Sequence, residues 1–225
     1  GDVGGDNVYD VEVTAADGTG GTDVQSIAVA VTDVVENGSP QITSSLTATV
    51  DENQTGAIDV DATDDVDSEG SGLSYAITGG ADAALFEIDA TSGVVSFASA
   101  PDFEAPGDVG GDNDYEVEVT VSDSGTLSDS ALLTISVVNV NEDPVITSSS
   151  SASVAENTTF VLTVTADDVD GDVPSFAITG GADAALFEID ATSGALSFVS
   201  APDFEAPGDV GGDNVYDVEV TAADG

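Results

Sequence analysis

The 225-residue chain contains no Lys, Arg, His, Cys, Met or Trp, and its 45 acidic residues give it a formal charge of −45. Each absence excludes something. With no cation, the chain has nothing to displace the counterions of nucleic acid or to meet an anionic membrane surface, so neither is a direct partner. No internal salt bridge between side chains can form, so every carboxylate must find water, an N–H or a soluble cation. Two carboxylates about 4 Å apart repel by roughly 4 kcal/mol at an effective dielectric near 20. Clustered acids therefore call for a metal ion or high salt. The absence of cysteine fits an intracellular protein or a secreted bacterial one stiffened by metal instead of disulfides, and the acids favour the second. No signal peptide or transmembrane run is read, and in a window cut from a longer chain that carries no weight. With no Lys or Arg, trypsin has no cleavage site, and charge of this density keeps a chain soluble in salt.

What is present is a repeat. Residues 1–18, GDVGGDNVYDVEVTAADG, recur unchanged at 208–225. ITGGADAALFEIDATSG stands at 77–93 and 178–194, and PDFEAPGDVGGDN at 101–113 and 202–214. Val50-Asp-Glu-Asn53 is answered by Val154-Ala-Glu-Asn157. The unit is about a hundred residues with small insertions. The organisation expected is the C-terminal part of a repeat with its last two strands at 1–39, a complete repeat at 40–143, and a repeat at 144–225 that stops before its last strand. A neighbour's residues 19–39 are expected to complete that third repeat, along a continuous chain or by strand donation from a copy.

Alternation marks the strands. Tyr9, Val11 and Val13 face one way and Asp10, Glu12 and Thr14 the other; Tyr115, Val117, Val119 and Val121 repeat the pattern. Period two with one apolar face predicts half-buried strands. Phe86–Ile88 and Val95–Phe97 flank Asp89–Gly93 as a hairpin, and Ala81–Leu85 offers one helical turn at most. The fold class expected is all-β: tandem Greek-key β-sandwich repeats of seven strands in two sheets.

Acids fall into two groups. Glu116, Glu118, Asp217 and Glu219 alternate along strand exteriors and read as a solvated face. The others sit in loops at the ends of the repeat unit: Glu52, Asp65, Asp67, Asp102, Glu104, Asp123, and the run Asn139-Val-Asn141-Glu142-Asp143, then Glu156, Asp168, Asp170, Asp203, Glu205 and Asp224. A donor set of oxygen alone points to Ca²⁺ rather than zinc or copper. An EF-hand from Asp168 or Asp65 would need an acid where Thr179 or Ala76 stands, and Gly79-Gly-Ala-Asp82 does not fit the calcium β-roll nonapeptide. The loop GDVGGDN, with Asp108 and Asp112, reads as a Gly-rich turn or a further ion site.

These motifs, in this order, resemble cadherin repeats of the kind found in very large bacterial surface and secreted proteins. Glu52-Asn53 and Glu156-Asn157 are similar to the family's Glu-Asn motif. Asp102-Phe-Glu104 and Asp203-Phe-Glu205 are similar to its Asp-Arg-Glu motif, with Phe for Arg. Asp65-Val-Asp67 and Asp168-Val-Asp170 are similar to Asp-x-Asp; Asp17, Asp123 and Asp224 are similar to the Asp that closes the penultimate strand; and 139–143 is similar to the linker. The resemblance implies a Ca²⁺ junction built from Glu52, Asp102, Glu104, Asn139, Asn141, Glu142, Asp143, Asp168, Asp170 and Asp224, holding up to three ions. It implies a partial one that joins Asp33, Glu36 and Asn37 to Asp65, Asp67 and Asp123. There Val35 is read in the place of Asn141, so fewer ions are expected.

Three functions are open to such a chain. The first is a calcium-stiffened structural repeat of an extracellular filament, stalk or giant adhesin, whose partners are adjacent repeats or copies of itself head-to-tail. The second is a cell-adhesion or polysaccharide-binding module that meets glycans or other cell surfaces; aromatics at 5% offer no platform for sugar rings. The third is an enzyme working through paired carboxylates, which is set aside because each acid pair has a structural explanation. The location expected is extracellular.

Overall fold

The computed structural model describes residues 4–224. Its elements are strands and two single turns of 3₁₀ helix, Ala83–Leu85 and Ala184–Leu186, the first within the stretch expected to hold one turn. Two compact units form. The first is assembled from residues up to Thr49, Thr55–Ser99 and Asp114–Ser136; the second from Val50–Gln54, Ala100–Asn113 and the chain from Val137 onward.

The chain starts with a hairpin of β1 (Val8–Ala16) and β2 (Thr22–Ala30). Then come β3 (Gln41–Ile42), β4 (Thr47–Asp51), β5 (Gly56–Asp59), β6 (Ala62–Thr63), β7 (Ser74–Gly79), β8 (Phe86–Ile88), β9 (Val94–Phe97), β10 (Asp114–Ser122) and β11 (Ser128–Val138). One sheet runs β4-β11-β10-β7, a second β5-β9-β8, and β3 pairs with β6. The seven strands expected are here, with the first two each broken in half. Alternation on β10 and β11 does what the pattern demands: Tyr115, Val117, Val119, Val121, Leu133 and Ile135 are 0–2% exposed. Tyr115 meets Phe97 edge-on with centroids 5.1 Å apart, and Phe97 lies 4.5 Å from Phe86. The Asp89–Gly93 turn links β8 to β9, and the Asp89 carboxylate accepts the N–H groups of Thr91 and Ser92. Gly80 (φ +101°) shows why Gly-Gly recurs: a Cβ there would stand 2.5 Å from the Val117 Cα and the Glu116 carbonyl oxygen.

In the second unit β12 (Val145–Ile146), β13 (Phe160–Thr163), β14 (Ala166–Asp167), β15 (Ser175–Gly180), β16 (Phe187–Ile189), β17 (Ala195–Phe198) and β18 (Glu219–Ala223) repeat the scheme. Phe187, Phe198 and Tyr216 restate the aromatic trio, with Phe198 and Tyr216 centroids 5.0 Å apart.

One expectation needs correction. Tyr9, Val11 and Val13 were read as the inward face of a half-buried strand, yet they are 40–48% exposed. Among the described residues β1 and β2 pair only with each other. A two-stranded ribbon has no second layer against which to bury a face.

Candidate metal centre

The Glu-Asn motif follows β4. Glu52 is 2% exposed. Its two carboxylate oxygens accept the N–H of Val140 (2.9 Å) and of Phe103 (2.8 Å). A single side chain thus holds the linker and the Asp102-Phe-Glu104 loop in place. Asn53 takes the left-handed conformation (φ 62°), which asparagine tolerates better than most residues. Its N–H donates to the Pro101 carbonyl and its side-chain amide to Glu142 Oε1 at 2.6 Å. The motif reading passes over Asn53 as a site residue; its place in the Glu-Asn motif and its tolerance of positive φ are the signal.

Carboxylates gather around this frame. Oxygens of Glu52, Asp102 and Glu104 lie within 4.8 Å of one another, and so do those of Glu104, Glu142 and Asp170. Glu104 belongs to both groups. Asp170 accepts the Glu142 N–H at 2.8 Å, and Asn141 donates to Asp224. Asn139 reaches the Asp170 carboxylate too. Asp168 accepts the Asp172 N–H, and Asp143 is exposed beside the cluster's linker segment. Withdrawal from water, with the charges of Glu52, Asp170 and Glu142 added, holds the Glu104 carboxyl above its ordinary range. Withdrawal from water raises Glu142 as well; the Asn53 amide opposes this, and Glu52, Asp170 and Asp102 add to it. The Glu142 N–H and the Asn139 side chain hold Asp170 below its ordinary range.

Three buried oxygens, Glu142 Oε2, Asp168 Oδ2 and Asp170 Oδ1, have no hydrogen-bond partner among the described residues. Buried anionic oxygens without a donor are costly, and a chain without Lys, Arg or His has no cation of its own for them. The set therefore fits a hard cation such as Ca²⁺, which takes 6–8 oxygens.

The GDVGGDN loop buttresses the cluster. Asp108, 7% exposed, accepts the N–H of Asn113 on one oxygen and that of Asp112 on the other, both at 3.1 Å. Burial opposes its ionisation, but the N–H groups of Asp112, Asn113 and Gly111 outweigh burial and hold it below its ordinary range. Asn113 Nδ2 then donates to the Phe103 carbonyl, between the two acids of the Asp-Phe-Glu motif.

The third repeat's acids, Glu156, Asp203 and Glu205, bring oxygens within 4.8 Å as well, but all three residues are exposed. Glu156 accepts the Phe204 N–H at 3.1 Å. In the first unit, Asn37 donates to Asp123 Oδ2 at 2.7 Å, the Gly38 N–H meets Asp65, and the Ser124 N–H meets Asp67. Asn37 thus does for Asp123 what Asn141 does for Asp224, so Asn37, and not Val35, is the counterpart of Asn141. Asp33 and Glu36 are exposed, and no group of three carboxylates gathers in that unit among the described residues. Asp64, which the motif reading passed over, carries a buried Oδ2 without a partner. Asp17 closes the β1–β2 turn by accepting the N–H groups of Thr19 and Gly21, and joins none of these groups.

Comparison with known proteins fits this arrangement. The cadherin domain family model matches residues 46–138. Halomucin of Haloquadratum walsbyi (strain DSM 16790 / HBSQ001) is 46% identical over 79 residues, which is 33% of this chain and 1% of halomucin. The crystal structure of human protocadherin-24 EC1-2 is 20% identical and superposes with a TM-score of 0.51, covering 83% of this chain and 94% of that one. Its second crystal form gives 0.52 at 20% identity, covering 81% and 93%. At that identity the likeness speaks for the fold alone. Cadherin domains are structural and adhesive modules without catalytic activity. The order of strands and the Glu-Asn and Asp-x-Glu loops agree with the match, and residues 46–138 are a cadherin domain.

Proposed function

We propose that the chain is a calcium-stiffened structural repeat of an extracellular filament, stalk or giant adhesin. The observation that carries this is the set of three buried, donorless carboxylate oxygens beside Glu52, Asp102 and Glu104. Glu52, Asp102 and Glu104 come from the repeat at 40–143, Glu142 from its linker, and Asp168 and Asp170 from the repeat that follows. Without a cation these groups repel, and that repulsion works against the hydrogen bonds by which Glu52 and Asn53 hold the linker. Ca²⁺ bound among them replaces repulsion by shared coordination and fixes the linker against both loops. Successive linkers held this way turn a jointed chain into a stiff one. The likeness to part of halomucin supports a role in a large extracellular surface protein.

The test is calorimetric titration of the chain with CaCl₂, followed by small-angle scattering with calcium and with chelator. Saturable binding and a maximum dimension that sharpens and lengthens with calcium are expected. A shape indifferent to calcium would leave the acids as a salt-adapted surface and end this reading.

A further inference from the structure

Three of the chain's eight asparagines begin an Asn-x-Ser/Thr triplet without proline in the middle: Asn37-Gly-Ser39, Asn53-Gln-Thr55 and Asn157-Thr-Thr159. In an exported protein that triplet is the acceptor of N-linked glycans, provided the finished fold leaves it on the surface. Two of the three stand at one place in successive repeats, directly after the glutamate of the Glu-Asn motif. Asn53 has a complete repeat and the following linker around it, so its surroundings do not depend on either end of the chain. Asn53, Gln54 and Thr55 are all exposed and lie between β4 and β5. The backbone fixes this turn: the Asn53 N–H donates to the Pro101 carbonyl, and the Thr55 carbonyl accepts the Phe97 N–H at 2.7 Å. The side chains are left over. The Thr55 hydroxyl has no partner among the described residues, and the Asn53 amide spends one of its two N–H bonds, on Glu142 Oε1.

A glycan replaces one hydrogen of that amide and leaves the other, so the bond to Glu142 is kept. That bond uses Oε1, whereas the buried oxygen of Glu142 is Oε2, so a sugar on Asn53 takes no oxygen from the acidic cluster. Asn157 restates the turn. Its φ is 63° against 62° at Asn53, its N–H donates to the Pro202 carbonyl, and it is exposed together with Thr158 and Thr159. Asn37 differs. Pro40 directly follows Ser39, is buried, and restricts that serine to extended backbone, against the turn that would bring its hydroxyl back toward the asparagine. We propose that Asn53, and Asn157 at the same place in the next repeat, carry N-linked glycans, one at each Glu-Asn turn, and that Asn37 carries none. The proposal rests on the extracellular reading and not on calcium binding. The donor is a sugar joined to a lipid through a phosphate ester. Asn53 Nδ2 attacks the anomeric carbon, the carbon–nitrogen bond forms, and the bond from that carbon to the phosphate oxygen breaks. The amide gives up one proton, and the lipid phosphate leaves with the electron pair. A glycan so placed stands at the rim of the acidic cluster and covers the linker that Glu142 belongs to.

The test exports the whole chain through a host cell that N-glycosylates. Location is then imposed, and a bare Asn53 counts against the acceptor and not against the extracellular reading. Glu-specific proteolysis is used because trypsin has no site. Each of the three asparagines directly follows a glutamate, so each heads its own peptide. Mass spectrometry before and after peptide N-glycosidase, which leaves aspartate where a glycan stood, reads the sites one by one. Glycan is expected on the Asn53 and Asn157 peptides and not on the Asn37 peptide. Thr55→Ala should abolish the glycan on Asn53 while leaving the asparagine and its bond to Glu142 in place, and Thr55→Ser should retain it. Thr55 is exposed, so both variants spare the fold. A secreted chain bare at Asn53 overturns the proposal, as does a modification of Asn53 that ignores Thr55→Ala. Glycan on Asn53 with a bare Asn157 overturns the rule of one per repeat, and glycan on Asn37 overturns the distinction drawn from Pro40.

Discussion

The hairpins β1–β2 and β10–β11 share an alternating apolar face and one register, yet Val11 and Ile27 are 47% and 40% exposed where Val117 and Leu133 are at 0%. Glu52 and Glu156 make the same contrast among the acids. Both begin a Glu-Asn motif and both meet an Asp-Phe-Glu loop. Among the described residues Glu52 also accepts a linker N–H, that of Val140, and is buried, whereas Glu156 is exposed. In each pair the local sequence specifies the strand or the turn, and segments elsewhere in the chain specify whether it becomes core or site. A cadherin motif is therefore half a statement, and the linker that closes over it is the other half.

The contrast can be sharpened by truncating matched residues. Leu133→Ala should cost about 2–5 kcal/mol, since it opens a cavity in a closed core. Ile27→Ala, measured in dilute solution, should stay within about 0.5 kcal/mol. Urea unfolding followed by Tyr fluorescence reads both, and equal costs would mean that the β1–β2 face is covered in solution. Next in size is calcium affinity. Glu52→Gln should weaken binding roughly tenfold or more, because it removes a charge from the group that shares Glu104. Glu156→Gln should change it less than about twofold. Calorimetry decides, and comparable losses would make the exposed triad an equal site. Asp170→Asn should fall between these, about three- to tenfold, since the amide oxygen still accepts the Glu142 N–H while the charge is gone.

The smallest effect is that of pH on the calcium-free chain. Glu104 and Glu142 are held above their unfolded values. Their stabilising contribution is complete below the ordinary glutamate range and is lost as pH rises through their raised values. Asp170, held low, contributes in the opposite sense: its part is present above the ordinary aspartate range and is lost as pH falls through its lowered value. Lowering pH from 7 toward 5 with chelator should therefore raise the urea midpoint slightly, before Asp170 begins to protonate. Saturating calcium should abolish the gain, because the ion displaces those protons. Urea midpoints at the two pH values, with and without calcium, check this.

Much of this was open to a reader of the sequence. Period-two alternation in Tyr115–Val121 told of a strand with one buried face because side chains of successive residues must point to opposite sides of a sheet. The resemblance of the motifs to cadherin repeats implied a junction that includes Glu52, Asp102, Glu104, Glu142 and Asp170, and a donor set of oxygen alone pointed to a hard cation. Other features were illegible. The clamp of Asp108 and Asn113 on the Phe103 carbonyl depends on hydrogen bonds across a loop, which no spacing rule encodes. The equivalence of Asn37 with Asn141 appears only when each is seen donating to its own closing aspartate, because the two linkers differ in length.

The sequence by itself determined the repeat, the all-β class, the oxygen-only chemistry of the acids and the lack of any partner cation, because these follow from composition and period. Tertiary structure alone decided which similarly patterned segments are buried. Burial and pairing are supplied by segments distant in the chain, and Tyr9 and Tyr115 read alike until one is covered by a second sheet and the other is not.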